Sequence, residues 1–183
     1  VRAIIGHPLV RAVTLTGSTP SGKAVAAQAG AVLKKTVLEL GGSDPYLILE
    51  DADVDQAAAV CVAARLVNSG QSCVAAKRFI AVDAVRDAFT ERFIALMRTK
   101  KTGDPLDPDS DVGPQARHDL RDELHGQVVA SVAKGAALRL GGSIPEGPGA
   151  FYPPTVLTNV TAGMPAHDEE LFGPVAAIIA ARD

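Results

Sequence analysis

Cys73 and Glu39 are the residues whose types best suit covalent chemistry in this sequence. Cys73 sits in Asn68-Ser69-Gly70-Gln71-Ser72-Cys73-Val74-Ala75-Ala76-Lys77-Arg78, after a glycine-containing loop and before small residues. A thiolate attacks carbonyl carbon, and backbone N–H groups would stabilise one if a helix started at Cys73. The same setting also suits a buried, inert thiol. Cys61, flanked by Val60 and Val62 in the middle of a helical pattern, reads as core. Glu39 interrupts the apolar run Val37-Leu38-Glu39-Leu40. A carboxylate there must be paired, solvated at a cleft or protonated. It is either a general base or a strand-end side chain in water. Gly17-Ser18-Thr19-Pro20-Ser21-Gly22 joins a strand to a helix, where N–H groups can hold a phosphate, but it matches no P-loop or G-x-G-x-x-G pattern and also suits an ordinary turn. Glu169-Glu170-Leu171-Phe172-Gly173-Pro174-Val175 sets two carboxylates and an aromatic ring before a strand. His7, His118, His125 and His167 are scattered without an H-E-x-x-H pattern, so no metal site is expected, and His118 and His125 read as solvated.

The elements that must position these groups alternate in type. Strands are expected over Ala12–Thr16, Thr36–Leu40, Tyr46–Leu49, Lys77–Val82, Ala137–Leu140, Thr155–Val160 and Val175–Ala180. Helices are expected over Lys23–Lys34 (with Thr19 as N-cap before Pro20), Asp51 to about Val67, Ala84–Lys100 and Gln115 to about Lys134. Phe89, Phe93 and Leu96 recur at helical spacing. Alternating strands and helices predict an α/β fold, a mostly parallel sheet layered with helices.

The chain has 183 residues, 47% hydrophobic and 21% charged, with a net charge of −3, which suits a packed core and argues against disorder and against nucleic-acid binding through bulk charge. No apolar run reaches the roughly 20 residues of a membrane helix, so no membrane association is expected. Two cysteines make no disulfide scaffold, and a reducing, cytoplasmic compartment is the expectation. A start at Val1 and an end just after a strand-like run suggest a piece of a longer protein.

Taken in order, Thr16-Gly17-Ser18-Thr19 with Gly22, Leu38-Glu39-Leu40-Gly41-Gly42, Asp51-Ala52-Asp53, Asn68 with Gly70-Gln71-x-Cys73, Pro154-Thr155-Val156-Leu157 and Glu169 to Val175 resemble the aldehyde dehydrogenase superfamily along nearly the whole chain. The 34-residue step from Glu39 to Cys73 is also the family's. Leu40-Gly41-Gly42-Ser43-Asp44-Pro45, Cys73 to Ile80 and Arg117 to His125 resemble its bacterial succinate-semialdehyde dehydrogenase group.

The resemblance implies Cys73 as nucleophile and Glu39 as the base that activates water. It implies NAD or NADP as cofactor, with Gly17 and Ser18 near the pyrophosphate, Glu170 on the nicotinamide ribose, Phe172 near the ring and Gly41 also among the cofactor-binding residues. It divides the chain into residues 1–41, the C-terminal part of a cofactor-binding domain, and 42–183, a catalytic domain truncated at its C-terminal end. The substrate would be a small aldehyde and the full-length protein a homo-oligomer, dimer or tetramer. Some relatives hold a substrate carboxylate with an Arg just before the Asn of the Cys loop, where this chain has Val67. The family's second oxyanion donor, an upstream Asn, has no counterpart here. Alone, the chain is expected to bind cofactor poorly, turn over little and expose apolar surface. Two rival readings are a cofactor-independent thiol esterase and a non-catalytic remnant domain.

Overall fold

The computed structural model describes all 183 residues, which divide into two compact units, Val1–Gly42 and Ser43–Asp183. In the first, α1 (Arg2–Gly6) precedes β1 (Ala12–Thr16), α2 (Thr19–Gly30) and β2 (Lys35–Glu39). The two strands pair in parallel with Thr16 opposite Glu39, so α2 is the crossover of a β-α-β unit. Helix α2 begins earlier than the sequence suggests, because the cap is Ser18, not Thr19: its side chain accepts from the Ser21 N–H at 3.4 Å. It also ends sooner, at Gly30, and Leu33 has a left-handed φ of 54°. Gly22 lets the helix approach the end of β2. A Cβ there would stand 2.6 Å from the Leu40 side chain.

The second unit is built on a five-stranded sheet in the order β3-β4-β7-β6-β5, with β3 (Pro45–Ile48), β4 (Arg78–Val82), β5 (Ala137–Leu140), β6 (Thr155–Thr158) and β7 (Val175–Ala181). Every pairing is parallel except β5 with β6. The α/β architecture with a mostly parallel sheet is therefore as expected. Helices α3 (Val54–Leu66) and α4 (Asp83–Arg98) enclose a core in which Phe79 and Phe93 lie with ring centroids 4.9 Å apart and Phe89 and Phe93 5.7 Å apart. A second apolar cluster gathers Leu124 and Val128 of α5 (His118–Ala133) with Tyr152, Leu157, Leu171 and Val175.

Helix starts differ from expectation where side chains or loops intervene. Helix α3 begins at Val54 because Asp53 caps it, accepting from the Gln56 N–H at 3.0 Å. Helix α5 begins at His118 because Gln115 is buried in the preceding loop, its N–H donating to the Ala150 carbonyl at 2.9 Å. The short α6 (Pro165–Asp168) has too few residues for a periodic signal. His125 is a correction: it is half-buried, not solvated, with Nδ1 3.1 Å from the hydroxyl of buried Tyr152. Burial pushes that phenol up to about 12. No helix is long and apolar enough to cross a membrane.

Candidate active site

Past Leu66 the chain takes three left-handed residues in succession: Asn68 (φ 50°), Ser69 (φ 56°) and Gly70 (φ 77°). For Asn and Ser this conformation costs on the order of 1–3 kcal/mol each, so the surroundings must impose it. The restraints are visible. Asn68 Nδ2 donates to the Gln71 carbonyl at 3.0 Å, and Gln71 N–H donates back to the Asn68 carbonyl at 3.0 Å. Gln71 bridges to a distant segment, accepting from Ala116 N–H at 2.8 Å and donating to the Pro114 carbonyl at 3.2 Å. Ser69 Oγ accepts from Gly113 N–H at 2.9 Å. Gly70 is required twice over, by its φ and by space, since a Cβ would meet the Gly173 carbonyl oxygen at 2.2 Å.

This clamp delivers Cys73 to the surface on a turn. The helix that would have started at Cys73 is absent. The chain instead turns, with the Ala75 N–H donating to the Ser72 carbonyl at 3.2 Å, and enters β4 at Arg78. The Cys73 sulfur and its backbone N–H have no hydrogen-bond partner in the chain. Cys61, in contrast, is buried in α3, and desolvation pushes its thiol up to about 11. A contrast in reactivity follows: iodoacetamide on the native protein, read by peptide mass mapping, labels Cys73 and spares Cys61, whereas both label in denaturant.

Glu170 and Phe172 belong to the same unit and to the segment that Gly70 packs against. Leu171 points into the core, so its neighbours alternate outward: Phe172 is exposed and Glu170 half-buried. Helix α5 fixes this segment, Gln127 Nε2 donating to Glu169 Oε2 at 2.9 Å and to the Glu170 carbonyl at 3.2 Å.

Between the two segments lies Lys77, fully buried. Its Nζ donates to the carbonyls of Ser72 (3.1 Å), Cys73 (2.8 Å) and Ala75 (3.1 Å). Glu170 Oε1 stands 3.2 Å from the same nitrogen. That oxygen is buried yet makes no hydrogen bond, because the three ammonium hydrogens go to the carbonyls, so the contact is ionic. Arg65, also fully buried, donates from Nη2 to the Gly70 carbonyl at 2.8 Å. Burial pulls its guanidinium down to about 10, against the opposing pull of the Glu170 carboxylate. Neither cation stands out in the sequence as a site residue. The available signal was Arg65 on the stripe Ala58-Cys61-Val62-Arg65-Leu66, a charge on the face α3 buries.

Glu39, Gly17, Ser18 and Gly41 lie in the first unit. Glu39 closes β2, exposed, and its backbone carbonyl accepts from the Gly17 N–H at 3.0 Å. The apolar strand therefore leaves this carboxylate solvated rather than buried. Gly17 and Ser18 are exposed where β1 passes into α2, and Gly41 is exposed just after β2.

The α/β fold thus presents one exposed thiol, Cys73, on a strained, tightly tied loop, and buries the other, Cys61, in α3. The comparison with protein families is specific: residues 1–183 match the model of the aldehyde dehydrogenase family, and the chain belongs to that family. It is 55% identical over 183 residues to succinate semialdehyde dehydrogenase [NAD(P)+] Sad of Escherichia coli (strain K12), covering 100% of this chain and 40% of that protein. It is 52% identical over 181 residues to succinate-semialdehyde dehydrogenase [NADP(+)] of Mycobacterium leprae (strain TN), covering 99% of this chain and 40% of that protein. Among solved structures, 3,6-anhydro-L-galactose dehydrogenase in complex with NAP superposes with a TM-score of 0.94 at 37% identity, covering 100% of this chain and 39% of that one. The chain thus spans about 40% of the length of the curated relatives it matches.

Proposed function

We propose that this chain carries the nucleophile and the general base of an NAD(P)-dependent aldehyde dehydrogenase whose substrate is succinate semialdehyde. One observation carries the reading: an exposed thiol, Cys73, held on a strained loop with its own N–H unpartnered, in a chain of this family. Residues 1–41 form the C-terminal part of the cofactor domain and 42–183 the catalytic domain. The full-length protein is a cytoplasmic homo-oligomer.

Each unit, taken by itself, offers groups suited to part of a dinucleotide. Nothing in the first unit requires glycine at position 17: a Cβ there would meet only the Leu15 side chain, at 3.9 Å, so the space beside it is open to a ligand. It lies at the C-terminal end of a parallel strand beside a helix start, where phosphates bind in open α/β sheets. Glu170 Oε2 has no partner in the chain and is not sealed off, which leaves an acceptor for a ribose hydroxyl. Gly17 and Ser18 would hold the pyrophosphate, Glu170 the ribose and Phe172 the ring, with Gly41 also among the cofactor-binding residues. When bound, NAD(P) supplies the hydride acceptor.

The protein's part is addition and hydrolysis. The Cys73 thiolate attacks the aldehyde carbon and forms a thiohemiacetal, and the Cys73 N–H donates to the developing oxyanion. Once oxidised, the carbon is a thioester on Cys73. Glu39 takes a proton from the attacking water, the C–S bond breaks, and the carboxylic acid leaves with the thiol restored. Because Val67 stands where some relatives place an arginine, the cation for the substrate carboxylate must come from another position. The test is kcat/KM of the full-length protein for succinate semialdehyde against butanal, with each nicotinamide cofactor. A preference of about 10²-fold or more for the carboxylated aldehyde is expected, the scale of a site built for a charged group. Equal values overturn the substrate assignment.

A further inference from the structure

We propose that Lys77 is a positioning residue that aims the backbone N–H of Cys73 at the substrate oxygen, with Glu170 holding its ammonium in place. The inference rests on reading Cys73 as the nucleophile. A trans peptide is planar, with its C=O and N–H pointing in opposite directions. Lys77 Nζ binds the Ser72 carbonyl at 3.1 Å and thereby draws it toward the interior. The N–H on the other side of that peptide belongs to Cys73, and it is turned away from the ammonium. Binding of the Cys73 carbonyl at 2.8 Å sets the next peptide the same way and directs the Val74 N–H. Neither N–H has a partner in the chain, although the loop around them is otherwise closely bonded.

The third carbonyl, of Ala75, completes the set, and Glu170 Oε1 neutralises the buried charge at 3.2 Å. A lysine buried in this way is costly without such partners. The strand that follows does not require the ammonium either, because Lys77 joins the neighbouring segments through its backbone, its N–H donating to the Asp44 carbonyl and its carbonyl accepting from the Ala177 N–H, each at 3.2 Å. The loop therefore contains a charged group that donates two of its three hydrogen bonds to the peptides flanking the nucleophile and the third to the Ala75 carbonyl.

Two reactions of the same thiol separate this role from simple support of the fold. In acylation by p-nitrophenyl acetate, sulfur adds to the carbonyl, the π electron pair moves onto oxygen, and collapse expels p-nitrophenolate. An oxyanion forms on the way. In alkylation by iodoacetamide, sulfur displaces iodide and no oxyanion forms. The full-length protein, without cofactor, is compared with Lys77→Met, which keeps the length and loses the donors. The expected result is a fall in Cys73 acylation of about 10²-fold, the scale of losing one oxyanion donor, with alkylation changed less than about threefold. Lys77→Met/Glu170→Gln, which leaves no uncompensated carboxylate, serves if the single variant does not fold, and the same split is expected. Equal loss in both reactions, or loss in neither, overturns the proposal while leaving Cys73 as nucleophile. If the wild-type protein shows no Cys73-dependent acylation, both the proposal and that assignment fail.

Discussion

Cys73→Ala is expected to abolish aldehyde oxidation by the full-length protein, with kcat lower by at least about 10⁴-fold, the scale seen when a covalent nucleophile is removed. No other thiol of this chain can take its place. Cys61 is buried in the α3 core, and its burial disfavours the thiolate. The loss should be chemical rather than structural. The Cys73 side chain is exposed and makes no hydrogen bond, so the melting transition should move by no more than about 0.5 kcal/mol of stability, as for other surface changes. The measurement is a pair: steady-state kinetics and a denaturant melt on the same preparation. Wild-type turnover in the variant contradicts the assignment.

Glu39→Gln is expected to behave differently. If Glu39 acts after the thioester has formed, its amide should leave the first turnover intact and slow the release. Stopped-flow absorbance should show a burst of one reduced cofactor per site, followed by a steady state lower by about 10²- to 10⁴-fold, the usual range for loss of a general base. Glu39 is exposed at the end of β2 and makes no side-chain hydrogen bond, so the substitution disturbs no packing. Loss of the burst together with the steady state would place Glu39 before the thioester instead.

The residues proposed to react were legible because their types are unusual where they stand: a carboxylate at the end of an apolar strand, a thiol after a Gly-Gln turn. The parallel sheet was legible from alternation, since β1, β3 and β4 are short apolar runs each followed by a helix-forming stretch. The geometry of the Cys73 loop was not. Local Asn68–Gln71 bonds hold part of it, but Gly113, Pro114 and Ala116, more than forty positions away, bind Ser69 and Gln71 and complete the restraint. Gly173 closes on Gly70 from farther still. Lys77 escaped for a related reason. Next to a strand it passes for an ordinary first residue, and only the fold shows that its ammonium is enclosed by three carbonyls and a carboxylate.

In the proposed reaction one acyl group is made on Cys73 and removed with the help of Glu39. The most direct measurement is intact-mass and peptide analysis of full-length Glu39→Gln, quenched in acid shortly after mixing with succinate semialdehyde and oxidised cofactor. One succinyl group per chain is expected, borne by the peptide that contains Cys73 and released by hydroxylamine as a thioester is. A variant that turns over slowly yet carries no acyl group, or carries it on another residue, would contradict it.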